Sequence, residues 1–562
     1  MHRGVPTVLA AGMLMLCGCT NKGPMEAVMD QRALIPRPTQ VESVPGSFTI
    51  SGDTIIFASD DASVRTTAAM LSGWISDAKG PALMIKSYQG ARRQGAIHLA
   101  LEAPGSGINA ESYSLRIGPD EVFLGAPSPE GVFRGAQTLR QMILAGPGGP
   151  GNKTVRLPGI VIRDAPRFPW RGLNLDCSRH FYPKDFIKRC LDLLALYKMN
   201  VFHWHLTDDQ GWRLEIKKYP RLAQVSAFRK EGGADYGGLY TRDDVREIVE
   251  YARERFITVV PEIEMPGHCQ AVLAAYPELS CTGGPFKVSA RWGIHRDVFC
   301  AGSEDTFRFL GDVLAEVAAM FPGKYIHIGG DECPKFRWKA CPRCQARMKE
   351  LGLRDEKELQ SWFITRAESM LAAHGRRLIG WDEILEGGLP ESATVQSWRG
   401  VQGAVEAVKQ GRRAIVSPTS HTYFDYGLAI TSLETVYSFE PIPPGIPEDR
   451  RGLILGSEAN MWSEYATVDN VEEKLFPRML ALSETLWSRP EGRDYDEFHG
   501  RLQTHYGILD ARGVRYGAER EPGILKAWYF MRDLRTLFGM IADDPGIAWH
   551  TMKLYLGMKG DD

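Results

Sequence analysis

Acidic residues, arginines and tryptophans recur in tight clusters through the middle of this sequence. They include Asp176-Cys177-Ser178-Arg179-His180, Asp208-Asp209 ahead of Trp212, Asp331-Glu332, Trp381-Asp382-Glu383, Trp398-Arg399, Tyr423-Phe424-Asp425 and Trp462-Ser463-Glu464. An aromatic ring stacks on the apolar C–H face of a pyranose, and carboxylates accept hydrogen bonds from its hydroxyls. Neighbouring carboxylates also supply a general acid and a general base for bond cleavage. Acids gathered around one mouth seldom lack a task. The combination points to sugar chemistry, provided the fold brings the clusters together.

The elements that must do so alternate from about residue 168 onward. Short apolar runs predict strands at Gly172–Asp176, Val201–Leu206, Ile257–Ile263, Tyr325–Ile328, Arg377–Trp381, Thr394–Trp398, Ala414–Ser417 and Leu453–Ser457. Between them lie helical stripes. Phe186, Cys190, Leu193, Leu194 and Tyr197 form the first. Val245, Ile248, Val249 and Ala252 form the second, behind a capping box of Thr241 and Asp244. Leu310, Val313, Leu314 and Val317 form the third. Strand–helix alternation argues for a parallel sheet, and eight repeats argue for closure into an α/β fold of the (β/α)8 TIM-barrel type. A doubly wound open sheet is the structural alternative. In a barrel the active site lies at the C-terminal strand ends, where these clusters fall. Upstream, Tyr113–Ile117 and Val122-Phe123-Leu124 around Gly118-Pro119-Asp120 predict a hairpin. Val132, Phe133, Ala136, Leu139, Met142 and Ile143 follow at helical spacing, so a small α+β domain precedes the barrel. The expected divisions are 1–19, 20–32, 33–165, 166–510 and 511–562: signal segment, tether, α+β domain, barrel and helical extension.

His327-Ile328-Gly329-Gly330-Asp331-Glu332 resembles the signature of glycoside hydrolase family 20, the β-N-acetylhexosaminidases. Pro169–Leu173, the segment from His203 to Trp212, Pro261–His268, Trp381–Glu383, Tyr423–Asp425 and Trp462–Glu464 match that family in order. The family is an exception among retaining glycosidases because the substrate's own 2-acetamido group replaces the nucleophilic carboxylate. The resemblance implies that Glu332 is the general acid and then the base, and that Asp331 orients the acetamido group. Tyr423 would bind the acetamido oxygen, while Trp381, Trp398 and Trp462 would wall the pocket. Arg171, Asp425 and Glu464 would grip the non-reducing-end hydroxyls, which implies exo action. Asp208 and His268 would form a relay behind Glu332. Adjacent side chains on a regular strand point to opposite faces. At least one of Asp331 and Glu332 must therefore leave regular geometry to share the site. His327 is assigned to structure, within the strand.

The rest of the chain bounds the setting. It has 562 residues, 44% of them hydrophobic and 24% charged, so a large core is expected. A formal net charge of −2 gives no reason to expect nucleic acid. His2 and Arg3 precede an apolar run from Val8 to Leu16, too short to span a bilayer, and then Leu16-Cys17-Gly18-Cys19. That end resembles a bacterial lipobox with Cys19 lipidated, so the expectation is export and contact with a membrane only through the anchor. Cys281 and Cys300 flank one loop and could staple it, and Cys341-Pro342-Arg343-Cys344 with Cys333 brings three thiols close in sequence. A structural zinc wants four ligands, so disulfides or free thiols are expected, with no metal and no cofactor. Three rival functions stand beside the hydrolase: an inactive glycan-binding protein, a lacto-N-biosidase-type relative and a metal-dependent hydrolase. The glycan, the choice between N-acetylglucosamine and N-acetylgalactosamine, and the oligomeric state stay open.

Overall fold

Eight parallel strands close into a barrel in this computed structural model. They are Trp170–Asp176, Val201–His205, Thr258–Glu262, Tyr325–His327, Arg377–Trp381, Thr394–Ser397, Arg413–Val416 and Ile454–Met461. The structure describes residues 33–103, 109–146 and 155–519, with the single positions 524, 527, 528 and 531. The signal segment with Cys19, the tether and most of the C-terminal extension beyond residue 519 lie outside the described residues. No described helix is long and apolar enough to cross a membrane.

All eight expected strands form, and the last pairs with the first, which excludes the open sheet. The eighth runs on to Met461, past the expected end at Ser457. The continuation carries Glu458 and Asn460, whose polarity mimics a strand end, yet both are fully buried. The helical stripes fold as Lys184–Leu196, Arg242–Arg253 and Glu304–Met320. Thr241 and Asp244 make the capping box reciprocally.

The upstream domain is a seven-stranded mixed sheet carrying the helices Ala62–Asp77 and Pro129–Ala145. The second helix is buried along most of its length because it also faces the barrel. Its Gln141 donates to the Leu196 carbonyl at 2.8 Å and its Arg134 to the Phe256 carbonyl at 2.9 Å.

This interface overturns the expectation for Arg171. The residue is second in the first barrel strand, at the N-terminal end, away from the mouth. Its guanidinium is fully buried and donates to Glu111 of the small domain, to the Phe168 carbonyl at 2.7 Å and to the Lys198 carbonyl at 2.9 Å. Burial would raise the Glu111 carboxyl, but Arg171 and Arg134 hold it at about 2. Arg171 therefore fastens the two domains together and has no route to a sugar.

Candidate active site

The fourth strand stops at His327, and the chain then kinks. Gly329 and Gly330 take φ of +67° and +93°, and Glu332 takes +42°. A Cβ on Gly329 would lie 1.7 Å from a carboxylate oxygen of Glu264, so only glycine fits. A non-glycine residue in the left-handed region costs about 1–3 kcal/mol and persists where surroundings enforce it. This is the departure from strand geometry that two adjacent acids need in order to share one site.

His268 joins them from the loop after the third strand, itself at φ +47°. Its Nε2 lies 3.7 Å from Asp331 and 3.6 Å from Glu332. Its Nδ1 lies 3.2 Å from Asp208 and 3.2 Å from Asp209. Burial opposes a charge on the ring, but Asp208, Asp209 and Asp331 push its pKa well up and favour the imidazolium. Asp331 is pushed up to about 7, by burial first and then by Glu332 and Glu262, against the pull of His268. Its Oδ1 is buried without a hydrogen-bond partner among the described residues. Glu332 is the more exposed of the pair, 22% against 13% for the side chain, and so faces the opening.

Aromatic rings flank the acids. Trp381 and Trp462 have ring centroids 5.7 Å apart, and Trp398 stacks on Tyr423 at 6.3 Å. Trp398 Nε1 donates to Glu383 at 2.9 Å, and Trp381 Nε1 donates to Glu262 at 2.9 Å. Burial, then Tyr426, Asp425 and Asp331, hold the Tyr423 phenol well above its ordinary range, so it keeps its O–H as a donor. Asp425 follows two residues on, half-buried, with its carbonyl accepting from Lys474 at 2.8 Å.

Arg179, just past the end of the first strand, stands where Arg171 does not. It pairs with Asp208 at 2.9 Å and Asp176 at 3.3 Å, and its guanidinium lies 5.4 Å from the Trp462 ring. Glu464 is close enough to reinforce its charge, and burial pushes the Glu464 carboxyl up in return.

Below the mouth a polar column fills the barrel axis. Glu458 meets His203 at 2.7 Å, His203 meets Glu262 at 3.1 Å, and His205 bridges Glu262 to Asp208, the latter at 3.0 Å. Burial would neutralise both histidines, but Glu458 and Glu262 raise His203 to about 9, and Glu262 with Asp208 raises His205 to about 10. His327 lies 2.7 Å from Glu262 and is fully buried, within the strand as expected. His203 and His205 thus pair with Glu458, Glu262 and Asp208 as cations, whereas burial lowers the pKa of His327 and keeps its ring neutral, and the column fixes Asp208 from beneath.

The fold thus gathers Asp208, His268, Asp331, Glu332, Trp381, Trp398, Tyr423, Asp425, Trp462 and Glu464 at one mouth, and excludes Arg171. Sequence reasoning placed Arg179, Asp209 and Glu383 in its clusters but gave them no role. Arg179 carried a usable signal, because it follows the strand's C-terminal end whereas Arg171 sits near its start. Asp209 was passed over for Asp208, yet both touch His268.

An acid pair at the C-terminal mouth of a (β/α)8 barrel, walled by tryptophan, defines a glycoside hydrolase site. Residues 168–490 match the family model "Glycosyl hydrolase family 20, catalytic domain", and residues 31–165 match "Glycosyl hydrolase family 20, domain 2". The chain belongs to glycoside hydrolase family 20. A β-hexosaminidase of Porphyromonas gingivalis is 42% identical over 524 residues, covering 90% of this chain and 67% of that protein. A β-hexosaminidase of Vibrio furnissii is 35% identical, over 80% of this chain and 76% of its own. The crystal structure of an exo-β-N-acetylglucosaminidase from Vibrio harveyi with N-acetylglucosamine superposes with a TM-score of 0.78. It is 30% identical, with 87% of this chain and 79% of that one covered.

Proposed function

We propose that the protein is an exo-acting β-N-acetylhexosaminidase. It removes terminal, non-reducing β-linked N-acetylglucosamine or N-acetylgalactosamine with retention of configuration, through participation of the 2-acetamido group. The carrying observation is the unequal pair: Asp331 with one buried, unsatisfied oxygen, Glu332 the more exposed toward the mouth. Adjacent acids in different environments take different tasks.

Glu332 donates its proton to the glycosidic oxygen as the acetamido oxygen attacks the anomeric carbon, and the leaving sugar departs as an alcohol. The amide nitrogen becomes positive, and its N–H meets the orphan oxygen of Asp331. Tyr423 donates to the acetamido oxygen and aims it, a proximity effect. Glu332 then takes a proton from water as the water opens the oxazolinium ring, which restores the acid. His268, held by Asp208 and Asp209, positions the Glu332 carboxyl. Arg179 with Glu464 and Asp425 binds the sugar's outer hydroxyls, and gripping that end limits cleavage to the terminal unit. The relatives' names and the N-acetylglucosamine complex of the Vibrio harveyi enzyme support the substrate class. The lipobox-like Cys19 supports export with a lipid anchor in the cell envelope.

The test is hydrolysis of 4-nitrophenyl N-acetyl-β-glucosaminide beside the plain β-glucoside, for the wild type and Glu332→Gln. Release from the acetamido substrate alone, lost in the variant, is the expected result. Equal release from both substrates would remove the acetamido group from the mechanism. A folded protein releasing neither would point to the glycan-binding rival.

A further inference from the structure

Four cysteine sulfurs converge between the loops that follow the third and fourth barrel strands. They belong to Cys281, which is partly buried, and to Cys300, Cys341 and Cys344, which are buried. The sulfur–sulfur distances are 3.8 Å for Cys281–Cys344, 3.9 Å for Cys300–Cys341 and 3.7 Å for Cys300–Cys344, and all four atoms lie within 4.8 Å of one another. A zinc–thiolate bond is about 2.3 Å, so the edge of a ZnS4 tetrahedron is about 3.8 Å. The three distances are those edges. Two disulfides would instead hold sulfurs in pairs about 2.05 Å apart, with no need for the pairs to meet. Four neutral thiols are small hydrophobes with no attraction that gathers them to one point.

We propose that Cys281, Cys300, Cys341 and Cys344 bind one structural zinc ion. Four thiols lose their protons to solvent as Zn²⁺ binds, giving a tetrathiolate centre with four Zn–S bonds and no open position. No electron moves, and the ion takes no part in hydrolysis. The surrounding chain is built for a fixed junction. Gly302 passes so close to the first turn of the helix Pro342–Leu351 that a Cβ there would lie 2.2 Å from the Arg343 backbone. Trp338 Nε1 donates to the Phe299 carbonyl at 2.9 Å, and Arg343 donates to the Ser280 carbonyl at 2.7 Å.

The centre clamps two segments that carry the site. Cys341 and Cys344 belong to the loop and helix that follow Asp331-Glu332. Cys281 and Cys300 close the base of a loop that packs on the Asp208–Asp209 turn. Within that loop, His295 lies 3.2 Å from Asp209, and the Ser289 N–H donates to the Asp209 carbonyl at 3.1 Å. The sequence reading of no metal counted Cys333 as third thiol and found no fourth. The folded chain leaves Cys333 out and brings Cys281 and Cys300 in from the preceding loop.

The test is elemental analysis of the full-length protein, purified under reducing conditions with added zinc and then dialysed. The expected content is about one zinc per chain. Cys341→Ser with Cys344→Ser should lower it at least tenfold, and Cys333→Ser should leave it unchanged. Should the double variant fail to fold, displacement of zinc from the wild type by a mercurial, read with a metallochromic dye, serves instead, with about one equivalent expected. Wild-type protein without zinc, iron in its place, or a peptide map with a disulfide joining any two of the four cysteines would overturn the proposal. Zinc content is read independently of turnover.

Discussion

Asp331→Asn should kill turnover and stabilise the free protein. The Asp331 carboxyl is held at about 7 in the folded chain against an ordinary 3.8. Between those values the folded state binds more protons than the unfolded state, so stability falls as pH rises. The contribution is fully present below about pH 4 and lost as pH passes about 7. At about 1.4 kcal/mol per pH unit, the loss reaches about 4 kcal/mol at pH 8 and about 2 kcal/mol at pH 5. Asparagine has the same shape and no charge to bury, so the variant escapes this penalty. Its melting temperature should exceed the wild type's by roughly 3–4 °C at pH 8, and by less at pH 5. Thermal unfolding of both proteins across pH 4–8 measures the gap. A gap that does not widen with pH, or a variant less stable at pH 8, would refute a raised Asp331. Such a trade of stability for activity is common at active sites.

Other substitutions separate the two arginines and the strained turn. Arg171→Ala should destabilise by about 3 kcal/mol in urea unfolding, because it leaves the buried Glu111 carboxylate with Arg134 as its one remaining guanidinium partner and strips two carbonyls of their donor, while KM of the remaining folded protein is unchanged. Arg179→Ala should lower kcat/KM by about 10²-fold, the loss expected for charged hydrogen bonds to sugar hydroxyls, as steady-state kinetics will show. Gly329→Ala should cost at least about 1–3 kcal/mol in thermal unfolding, since its methyl collides with Glu264. Metabolic labelling with a radioactive fatty acid should mark the wild type and not Cys19→Ala.

The barrel was legible because each strand is a short apolar run and each helix carries its stripe at a regular spacing. The mouth followed from where the acids and tryptophans fall relative to strand ends. Arg171 was misplaced because its motif was read without its position in the strand; counting from Trp170 puts it near the wrong end of the barrel. Glu458 was read as lying beyond a strand, since nothing local shows that His203, a strand away, neutralises it. The kink at Gly329–Glu332 was required by the adjacency of two acids, but its backbone angles depend on Glu264, from the segment after the third strand. The cysteine cluster was hidden for the same reason: its two halves come from different loops, and only closure of the barrel brings them together.

The central claim is that the substrate's acetamido oxygen is the nucleophile. The direct measurement is kcat/KM on 4-nitrophenyl β-glucosaminides whose N-acyl group is acetyl, fluoroacetyl, difluoroacetyl or trifluoroacetyl. Each fluorine withdraws electrons from the carbonyl oxygen and weakens it as a nucleophile without changing the leaving group. The account predicts a steep, monotonic fall in log kcat/KM along the series. A flat series, with the acetyl and trifluoroacetyl substrates cleaved alike, would contradict it and require a protein nucleophile.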